Sequence, residues 1–510
     1  MKRYYLLAFF LIPLLSGYRV ERVVPKPSRP NIIFVFTDDL AYQAISAYGF
    51  GLNNTPNIDR LARQGMLFSR CVVTNSICGP SRATILTGKY SHMNGFYRNE
   101  RGDFDSSQQT FPKLLQQNGY QTAIIGKWHL GSKPTGFDHW EVMRNQGSYY
   151  NPDFITPAGD SIAQGHSEEI VTGKAINWMD QQRDKSKPFM LMVQFKAPHR
   201  EWEPGPGYMN KYDNHVFPEP PTLFDNYSGR ASAARNQKMS IAKDMVLEGD
   251  NKLYNDAARN NPKGRSYARM NDAQKKAWDD AYSLKNEAFY KSKLSGDDLT
   301  RWKYQRYMQD YMSVVAGIDD NVGRLLDYLD KQHLAENTMV VFCSDQGFYL
   351  GEHGWFDKRW MYEQSFRTPL LVRWPGKIKP GSVNKDIVSN LDMAETFLDA
   401  AGVAVPADMQ GRSLLPVFAG KKPADWRKSF YYHYYEGGVH GVPEHEGVYM
   451  DSLKLINYYT IGEWEMFDLR RDPYEMHSVY NNPEYTVQQQ RLAAELAILR
   501  KQLNVPENKK

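Results

Sequence analysis

Four continuous apolar runs, each followed directly by polar residues, constrain the fold of this chain more than any other feature. They cover residues 31–37, 122–125, 189–195 and 338–343. A continuous apolar run is typical of a parallel strand buried on both faces, whereas a half-exposed strand alternates apolar and polar residues. Segments with helical periodicity lie between the runs, so the sequence predicts an α/β fold with a large, mostly parallel central sheet.

The polar residues that follow the four runs are of types that bind ions or move protons. In open α/β sheets, ligands bind outside the carboxyl ends of the strands. We therefore expect these residues to converge in one cleft, although any one of them alone could be an ordinary strand-end residue. They are Asp38, Asp39, Lys127, His129, His199, Asp345 and Gln346.

Helices that face the core are predicted between the strands, where apolar residues recur every three or four positions. The predicted helices cover residues 55–65, 167–182, 309–333 and 391–401. Their apolar stripes need no functional explanation, because they are the faces that a layered fold buries.

The pattern changes near residue 403, and the sequence predicts two units: an N-terminal catalytic domain (28–402) and a C-terminal subdomain (403–510). Three short, aromatic, alternating segments in the second unit predict a small antiparallel sheet. They cover residues 429–435, 446–450 and 454–459, and a turn segment (467–475) and a terminal helix (485–502) follow.

Residues 205–300 form a polar insertion with weak periodicity. A connection of this length must carry its own structure or function. Two interpretations stay open: a solvated helical insertion, or a lid or wall beside the substrate cleft.

The N-terminus predicts export. Lys2 and Arg3 precede an apolar run (4–15) that ends before Ser16 and Gly17, which is typical of a secretory signal peptide over residues 1–17. The run is short for a membrane span, so no stable membrane anchor is expected, although a retained anchor is the alternative.

Charge and cysteine content limit the possible partners and the cellular compartment further. The net charge of +5, from 63 basic and 58 acidic side chains, is too small to indicate a nucleic-acid partner. The cysteines Cys71, Cys78 and Cys343 are too few for a disulfide framework. A periplasmic or secreted bacterial enzyme fits these features.

The segment from Cys78 to Gly88 reads Cys-Gly-Pro-Ser-Arg-Ala-Thr-Ile-Leu-Thr-Gly. Pro80 suits the first turn of a helix, and the free N–H groups of that turn favour an anion beside Cys78. Arg82, one turn later, adds donors that match a tetrahedral oxyanion.

This segment resembles the signature of the type I sulfatases, which share an alkaline-phosphatase-like sandwich fold. The resemblance implies that a formylglycine-generating maturation enzyme, helped by Pro80 and Arg82, oxidises Cys78 to formylglycine (3-oxoalanine). The hydrate of formylglycine then attacks sulfur. Residues 467–475 also resemble a C-terminal segment of that family.

Asp38, Asp39, Asp345 and Gln346 offer three carboxylates and one amide oxygen, and hard ligands of this kind select calcium or magnesium over zinc. The resemblance implies one Ca²⁺ that also binds the sulfate. Gln346 departs from the asparagine that is commoner in the family.

The catalytic roles likewise follow from the resemblance and from the demands of sulfate ester hydrolysis. Arg82, Lys127 and Lys358 would neutralise the sulfuryl oxygens. His199 would protonate the leaving oxygen, and His129 would take a proton from the second hydroxyl as sulfate leaves. Asp345 is the expected base for the attack.

The segment Asp357-Lys358-Arg359 is most similar to that of N-acetylglucosamine-6-sulfatases. It implies removal of a 6-O-sulfate from glucosamine units of heparan, keratan or mucin-type glycans, with Asp357 and Arg359 holding sugar hydroxyls. A local ion pair is the alternative. Three histidines could border the sugar or be ordinary loop residues: His433, His440 and His445.

Three other functions remain open at this stage: a phosphodiester or phosphonate monoester hydrolase on the same scaffold, a sulfatase for another sugar position, and an inactive glycan-binding protein.

Overall fold

A computed structural model of the protein describes Met1 and residues 29–99, 102–253 and 266–508. Apart from Met1, the predicted signal peptide lies outside the described residues. Within the described part of the chain, no helix is both long and apolar enough to cross a bilayer.

Strands and helices alternate through the first four hundred residues. In chain order the strands are β1 (Asn31–Thr37), β2 (Met66–Phe68), β3 (Cys71–Val72), β4 (Gln121–Lys127), β5 (His139–Met143), β6 (Asp153–Thr156), β7 (Gly159–Ile162), β8 (Phe189–Gln194), β9 (Thr338–Ser344), β10 (Leu370–Arg373), β11 (Ser382–Asn384), β12 (Val388–Ser389), β13 (Ser429–Tyr434), β14 (His445–Met450), β15 (Leu453–Tyr458) and β16 (Glu463–Asp468). The α-helices are α1 (Pro56–Gln64), α2 (Cys78–Thr87), α3 (Ser91–Asn94), α4 (Phe111–Gln117), α5 (Ser167–Asn177), α6 (Ser232–Asn236), α7 (Asp272–Ser292), α8 (Gly296–Lys331), α9 (Glu363–Phe366), α10 (Met393–Ala400), α11 (Leu415–Phe418) and α12 (Thr486–Gln502).

The central sheet has ten strands in the order β11-β2-β10-β9-β1-β8-β4-β5-β6-β7. The five strands from β9 to β5 in this order are parallel, and antiparallel pairs occur only towards the two edges. This confirms the predicted fold class. The carboxyl ends of β1, β4, β8 and β9 therefore meet at one edge of the sheet, where the predicted site residues follow them.

The two faces of β1 explain why its sequence is a continuous apolar run. Ile33 and Val35 pack in one hydrophobic cluster with residues of α5 and α8. Ile32, Phe34 and Phe36 pack in a second cluster with residues of α2 and α10. Since each buried side chain of this size contributes about 1.5–3 kcal/mol, covering both faces fixes the strand in the centre of the sheet.

Two predicted helices differ in length from those observed. The helix predicted over 309–333 is the second half of α8, which begins at Gly296 and is 36 residues long. Its first half lacks a clear apolar stripe because Lys303 and Arg306 are buried there. Lys303 donates to two backbone carbonyls, and Arg306 lies over the rings of Tyr282 and Trp302. The helix predicted over 167–182 ends as α5 at Asn177 and continues as a π-helical turn.

The C-terminal antiparallel sheet is observed in the order β13-β14-β15-β16, with α12 packed against its first three strands. The prediction contained the first three strands but not β16. The predicted turn began at Phe467, which is instead inside β16. The buried Glu465 disguised this strand in the sequence, and the hydroxyls of Tyr362 and Tyr458 donate to its carboxylate.

The polar insertion packs against the catalytic core on one side. Met209, Phe217, Ile241 and Trp278 are buried in the cluster that also contains residues of α8. The opposite side is solvated, as the exposed side chain of Leu284 on α7 shows. The described part of the insertion is thus partly helical, with one side packed on the core and the other exposed to solvent.

Glu395 on α10 makes the free energy of unfolding depend on pH. Its Oε1 atom accepts a hydrogen bond of 2.6 Å from the Gly411 N–H. Burial, with the nearby Asp392 carboxylate, raises the pKa of Glu395 from 4.5 to about 8. The folded chain therefore holds this proton where the unfolded chain has lost it, so the stability from Glu395 declines as the pH rises from about 4.5 to about 8.

We expect Glu395→Gln, which keeps the acceptor for Gly411, to remove this decline. Denaturant unfolding at pH 5 and pH 8 should show the variant roughly 1–3 kcal/mol more stable than the parent at the higher pH. The exposed Glu336→Gln is the control and should follow the parent. A Glu395→Gln profile parallel to that of the parent would contradict the assignment.

Candidate active site

Cys78 is the first residue of α2, and its side chain is buried. The adjacent Gly79 N–H donates a hydrogen bond of 2.9 Å to Asn99 Oδ1, so a side chain already satisfies one donor of this helix start. Burial raises the pKa of the Cys78 thiol well above its usual value, although the Lys358 charge opposes the shift. An unmodified thiol here is protonated and a weak nucleophile.

Arg82 lies one turn further along α2 and contacts residues at the ends of four strands. Its guanidinium donates to the Lys127 carbonyl at 3.1 Å and to Gln194 Oε1 at 2.9 Å. The other terminal nitrogen lies 3.5 Å from an Asp345 carboxylate oxygen and 3.8 Å from one of Asp38. Arg82 therefore brings a fixed positive charge to the carboxyl ends of β1, β4, β8 and β9.

Asp38, Asp39 and Asp345 form a buried cluster in which one oxygen of each lies within 4.8 Å of the others. The Asp39 N–H donates to Asp345 Oδ1 at 3.0 Å, and the Gln346 amide donates to the Asp39 carboxylate. Among the described groups, Asp38 Oδ1 and Gln346 Oε1 find no hydrogen-bond partner.

This donor set fits a hard divalent cation. Three buried carboxylates in one place are costly unless a positive charge is among them. Oxygen donors without a cysteine or histidine favour calcium or magnesium over zinc. The unpartnered oxygens of Asp38 and Gln346 are the groups that such an ion would satisfy.

Two lysines contact the same cluster. Lys127 Nζ contacts the Asp38 carboxylate, and Lys358 Nζ lies 2.6 Å from Asp39 Oδ2. Burial raises the pKa of Asp39 to about 6, and the Lys358 charge limits this rise. Burial alone would lower the pKa of Lys358, but Asp39 holds it above its usual value. Lys358 is therefore charged.

His199 follows β8, and its Nε2 atom lies 3.8 Å from Asp39 Oδ2. The Arg200 carbonyl is 2.7 Å from Nδ1, so Nδ1 carries the hydrogen that this carbonyl accepts. Burial, with the charges of Lys127 and Lys358, holds the pKa of His199 well below its usual value. The resting imidazole is neutral and directs Nε2 towards the carboxylates.

Gln146, on the loop after β5, connects Lys127 to His129. Lys127 Nζ donates to Gln146 Oε1 at 2.5 Å, and Gln146 Nε2 lies 2.9 Å from His129 Nε2. Burial lowers the pKa of Lys127 well below its usual value, whereas the contact with the Asp38 carboxylate favours the charged form. Nζ is a donor to Gln146, so the amide oxygen faces Lys127 and the amide N–H faces His129. Burial and the charge of Lys127 lower the pKa of His129 well below its usual value, so the ring is neutral. Because Nε2 accepts from Gln146, the hydrogen of this ring is on Nδ1, which can donate to a bound group.

Asp357 and Arg359 flank Lys358 and are both buried. An Asp357 oxygen lies 3.3 Å from His440 Nε2 and 3.8 Å from the Arg359 guanidinium. Arg359 also lies 3.2 Å from Glu436 Oε2. Although burial would raise it, Arg359 and Lys358 hold the pKa of Asp357 well below its usual value.

Three histidines left open by the sequence have different surroundings. His440 contacts Asp357, as described above. His445 is buried among the rings of Trp360, Tyr432, Tyr434 and Tyr458. His433 lines a different cavity, together with Tyr97 and Tyr435. Of the three histidines, only His440 contacts a predicted site residue in the described chain.

Several site residues have positive φ angles, as do other described residues away from the site. Positive φ angles occur at Asp39 (66°), His129 (56°), Asp357 (83°), Arg359 (95°) and His440 (52°). Each costs on the order of 1–3 kcal/mol outside glycine, and the surrounding packing holds it. Such residues cluster at functional sites.

The structure brings all twelve predicted site residues into one connected cluster, and their individual roles stay predictions. The twelve are Asp38, Asp39, Cys78, Arg82, Lys127, His129, His199, Asp345, Gln346, Asp357, Lys358 and Arg359. Sequence reasoning missed Asn99, Gln146, Gln194 and Glu436. Gln194 could have been found as the one polar residue in a predicted apolar strand, whereas the other three lie in loops without a recognisable pattern.

A cavity of about 420 Å³ opens beside His199. Lys196 and Arg200 lie in its wall together with two residues of the insertion, Ser266 and Arg269. The insertion therefore forms part of a wall next to the site, which agrees with one of the two interpretations that the sequence left open.

Two proteins of similar sequence are sulfatases that act on N-acetylglucosamine. The chain is 49% identical to the N-acetylglucosamine-6-O-sulfatase of Bacteroides thetaiotaomicron, over 94% of this chain and 88% of that protein. It is 28% identical to human N-acetylglucosamine-6-sulfatase, over 82% of this chain and 70% of that protein.

A solved structure superimposes with a TM-score of 0.92 at 48% identity, covering 95% of this chain and all of the other. That protein was solved in complex with its substrate D-glucosamine-2-N,6-O-disulfate. Residues 351–502 match the C-terminal region of N-sulphoglucosamine sulphohydrolase. Residues 30–403 match the family described as Sulfatase, and the chain therefore belongs to the sulfatase family of sulfuric ester hydrolases.

Proposed function

We propose that this protein hydrolyses the 6-O-sulfate ester of N-acetylglucosamine units in glycans. The reaction consumes water, breaks the ester bond to sulfur, and releases sulfate and the sugar alcohol. The observation that carries this proposal is the 49% identity to an N-acetylglucosamine-6-O-sulfatase across 94% of the chain.

The sulfate would lie between α2 and the carboxylate cluster. Calcium, held by Asp38, Asp39, Asp345 and Gln346, would supply positive charge next to the sulfate oxygens. Conversion of Cys78 to formylglycine would supply an aldehyde whose hydrate carries the attacking hydroxyl.

The cations of the chain itself bind and orient the sulfate group. The guanidinium of Arg82 and the ammonium groups of Lys127 and Lys358 converge on the carboxylate cluster from different elements. Buried charges of this kind stabilise the negative charge of the transition state strongly, because no water screens them. Asp345 is our proposed base for the attacking hydroxyl.

His199 is the proposed acid for the leaving oxygen. Its Nδ1–H is occupied by the Arg200 carbonyl, so Nε2 is the atom that faces the site. Burial and the positive neighbours lower the pKa of His199 and keep its imidazole neutral, and the negative charge of a bound sulfate ester acts in the opposite direction. Substrate binding therefore favours the protonated imidazole that the leaving group needs.

His129 is the proposed residue that handles the proton of the second hydroxyl when sulfate leaves. The Gln146 N–H donates to Nε2, so the hydrogen of the neutral ring is on Nδ1; His129 can accept the new proton at Nε2 once this contact opens. Gln146 is a positioning residue in this scheme, because it acts through His129 and Lys127.

We expect Gln146→Leu to lower kcat by about 10- to 100-fold with little change in KM, because His129 loses its fixed orientation. Gln146→Glu keeps an acceptor for Lys127 but places a carboxylate beside His129, which should shift the pH profile of kcat to higher pH. Exposed Gln181→Leu is the control. Unchanged kcat in Gln146→Leu would show that the contact has no catalytic role.

At the sugar side, Asp357 and Arg359 are proposed to hold ring hydroxyls. We expect Asp357→Asn to raise KM for 6-sulfated N-acetylglucosamine by about tenfold or more, since a charge-assisted hydrogen bond is lost. Asparagine tolerates the positive φ at this position. An aryl sulfate, which lacks these hydroxyls, is the control substrate and should keep its KM; an equal rise for both substrates would contradict the role.

We infer that residues 1–17 direct export to the periplasm or beyond, that a formylglycine-generating enzyme matures Cys78, and that the catalytic domain ends near residue 402. The substrate would be a glycan of the heparan, keratan or mucin type.

A substrate panel tests the proposal. The matured enzyme, with calcium, is incubated with 2-, 3-, 4- and 6-sulfated monosaccharides, an aryl phosphodiester and a phosphonate monoester. We expect sulfate release from 6-sulfated N-acetylglucosamine at a kcat/KM at least about 100-fold above all others. Preferred turnover of a phosphorus ester or of another sulfate position would overturn it.

A further inference from the structure

A second cavity, of about 490 Å³, is lined by residues that play no part in the mechanism above. We call it the aromatic cavity. Its aromatic wall contains Tyr97, Tyr435, Tyr459 and His433, and residues 505–508 near the C-terminus also line it.

The rings of this wall form one continuous surface. The centroids of Tyr97 and Tyr435 are 5.0 Å apart, His433 stacks on Tyr435 at 3.6 Å, and His433 meets Tyr459 at 5.5 Å. All three tyrosines are only half-buried. Half-exposed tyrosine rings present an apolar face together with a polar edge.

Two polar groups are placed at the edge of these rings. Arg98 donates to Glu444 Oε1 at 2.7 Å, and the Tyr459 hydroxyl donates to Glu444 Oε2 at 3.0 Å. Both charges are held in place, and they cancel each other. The combination of flat rings with a few fixed polar groups is typical of a small-ligand pocket.

Two short segments of chain connect the aromatic cavity to the reacting centre. Asn99, next to Arg98, accepts the Gly79 N–H and donates its own N–H to Glu436 Oε1 at 2.9 Å. Glu436, next to Tyr435, reaches Arg359. The same two segments therefore line the cavity on one side and contact the site on the other.

We propose that the aromatic cavity is a subsite for the sugar that follows the sulfated glucosamine in the glycan, and that this sugar is uncharged. The inference rests on the proposed function. A sugar ring places its C–H face on the tyrosine rings and its hydroxyls on Arg98 and Glu444.

The charges that line the aromatic cavity favour an uncharged sugar. Arg98 and Glu444 neutralise each other, and Glu507, which also lines the cavity, lies 3.9 Å from Arg500. His92 and His433 also line the cavity, and burial lowers the pKa of both. A uronate or a second sulfate would therefore find no unpaired cation among the described lining residues, whereas a neutral hexose needs none.

The experiment compares kcat/KM for three substrates that share the same 6-sulfated N-acetylglucosamine: the monosaccharide, a disaccharide with galactose at its reducing side, and one with glucuronic acid there. We expect the galactose disaccharide to exceed the monosaccharide by about tenfold, and the glucuronic acid disaccharide to show no gain. Equal values for monosaccharide and galactose disaccharide, or an equal gain from glucuronic acid, would overturn the proposal.

Variants of the tyrosines test whether the aromatic cavity causes the higher kcat/KM of the galactose disaccharide. Tyr459→Ala should reduce the galactose disaccharide to the monosaccharide level and leave the monosaccharide unchanged, whereas Tyr459→Phe, which keeps the ring, should retain most of the gain. Tyr97→Leu is a second variant in case Tyr459→Ala folds poorly, and exposed Tyr474→Ala is the control. Equal losses on both substrates would overturn the proposal, because the rings would then only support the reacting site.

Calorimetric titration with the desulfated galactose disaccharide separates this proposal from the proposed function. Binding by the parent enzyme that is lost in Tyr459→Ala supports the subsite even if no sulfate is released from any substrate. An absence of binding, with normal release of sulfate from the monosaccharide, would overturn the subsite and leave the proposed function intact.

Discussion

Replacing Cys78 by alanine should lower kcat/KM for 6-sulfated N-acetylglucosamine by at least about 10⁴-fold, since the nucleophile itself is removed. The fold should survive, because the side chain is small and α2 is held by contacts along its whole buried length. Release of sulfate under single-turnover and steady-state conditions, with the thermal unfolding midpoint, measures both effects.

Cys71→Ala is the matched control. Cys71 is a buried cysteine in the hydrophobic core and contacts none of the predicted site residues in the described chain. It should lose some stability but keep its kcat. Retained activity in Cys78→Ala would contradict the assignment of the nucleophile, and equal losses in both variants would indicate a defect of folding.

Asp345→Asn should lower kcat by about 10³-fold or more and weaken calcium binding strongly. The substitution keeps an oxygen for the N–H groups of Asp39 and Gln346 but removes the charge at the centre of the cluster. In the parent enzyme, saturating calcium should raise the unfolding midpoint by a few degrees, because the ion binds the folded state alone. The variant should show little of this rise.

Asp327→Asn, on the exposed side of α8, is the control for charge removal. It should retain both activity and the response to calcium. A full calcium response in Asp345→Asn would show that the ion binds elsewhere. Unchanged activity after exhaustive chelation of the parent enzyme would show that the carboxylate cluster needs no cation.

The central fold could be predicted because its strands are buried on both faces. The run over residues 31–37 coincides with β1, and the other three apolar runs differ from their strands by at most three residues at either end. The first half of α8 and the strand β16 were missed because their buried charges and hydroxyls mimic a solvated surface. Only tertiary partners, such as those of Glu465, reveal them.

The site was predictable to the extent that its residues follow strands or lie in a long motif. Cys78, Asp38 and Asp345 were found in this way. Gln146 and Glu436 were not, because each is a polar loop residue whose partner is distant in sequence. The positive φ angles at Asp357 and Arg359, which aim these side chains, have no signal in the sequence either.

The mass of the peptide that contains Cys78, taken from active enzyme produced in a host with the maturation machinery, tests the central claim most directly. The account predicts the mass of the aldehyde or its hydrate, and it predicts that specific activity rises in proportion to the modified fraction. An intact thiol in enzyme that hydrolyses 6-sulfated N-acetylglucosamine at full rate would contradict it.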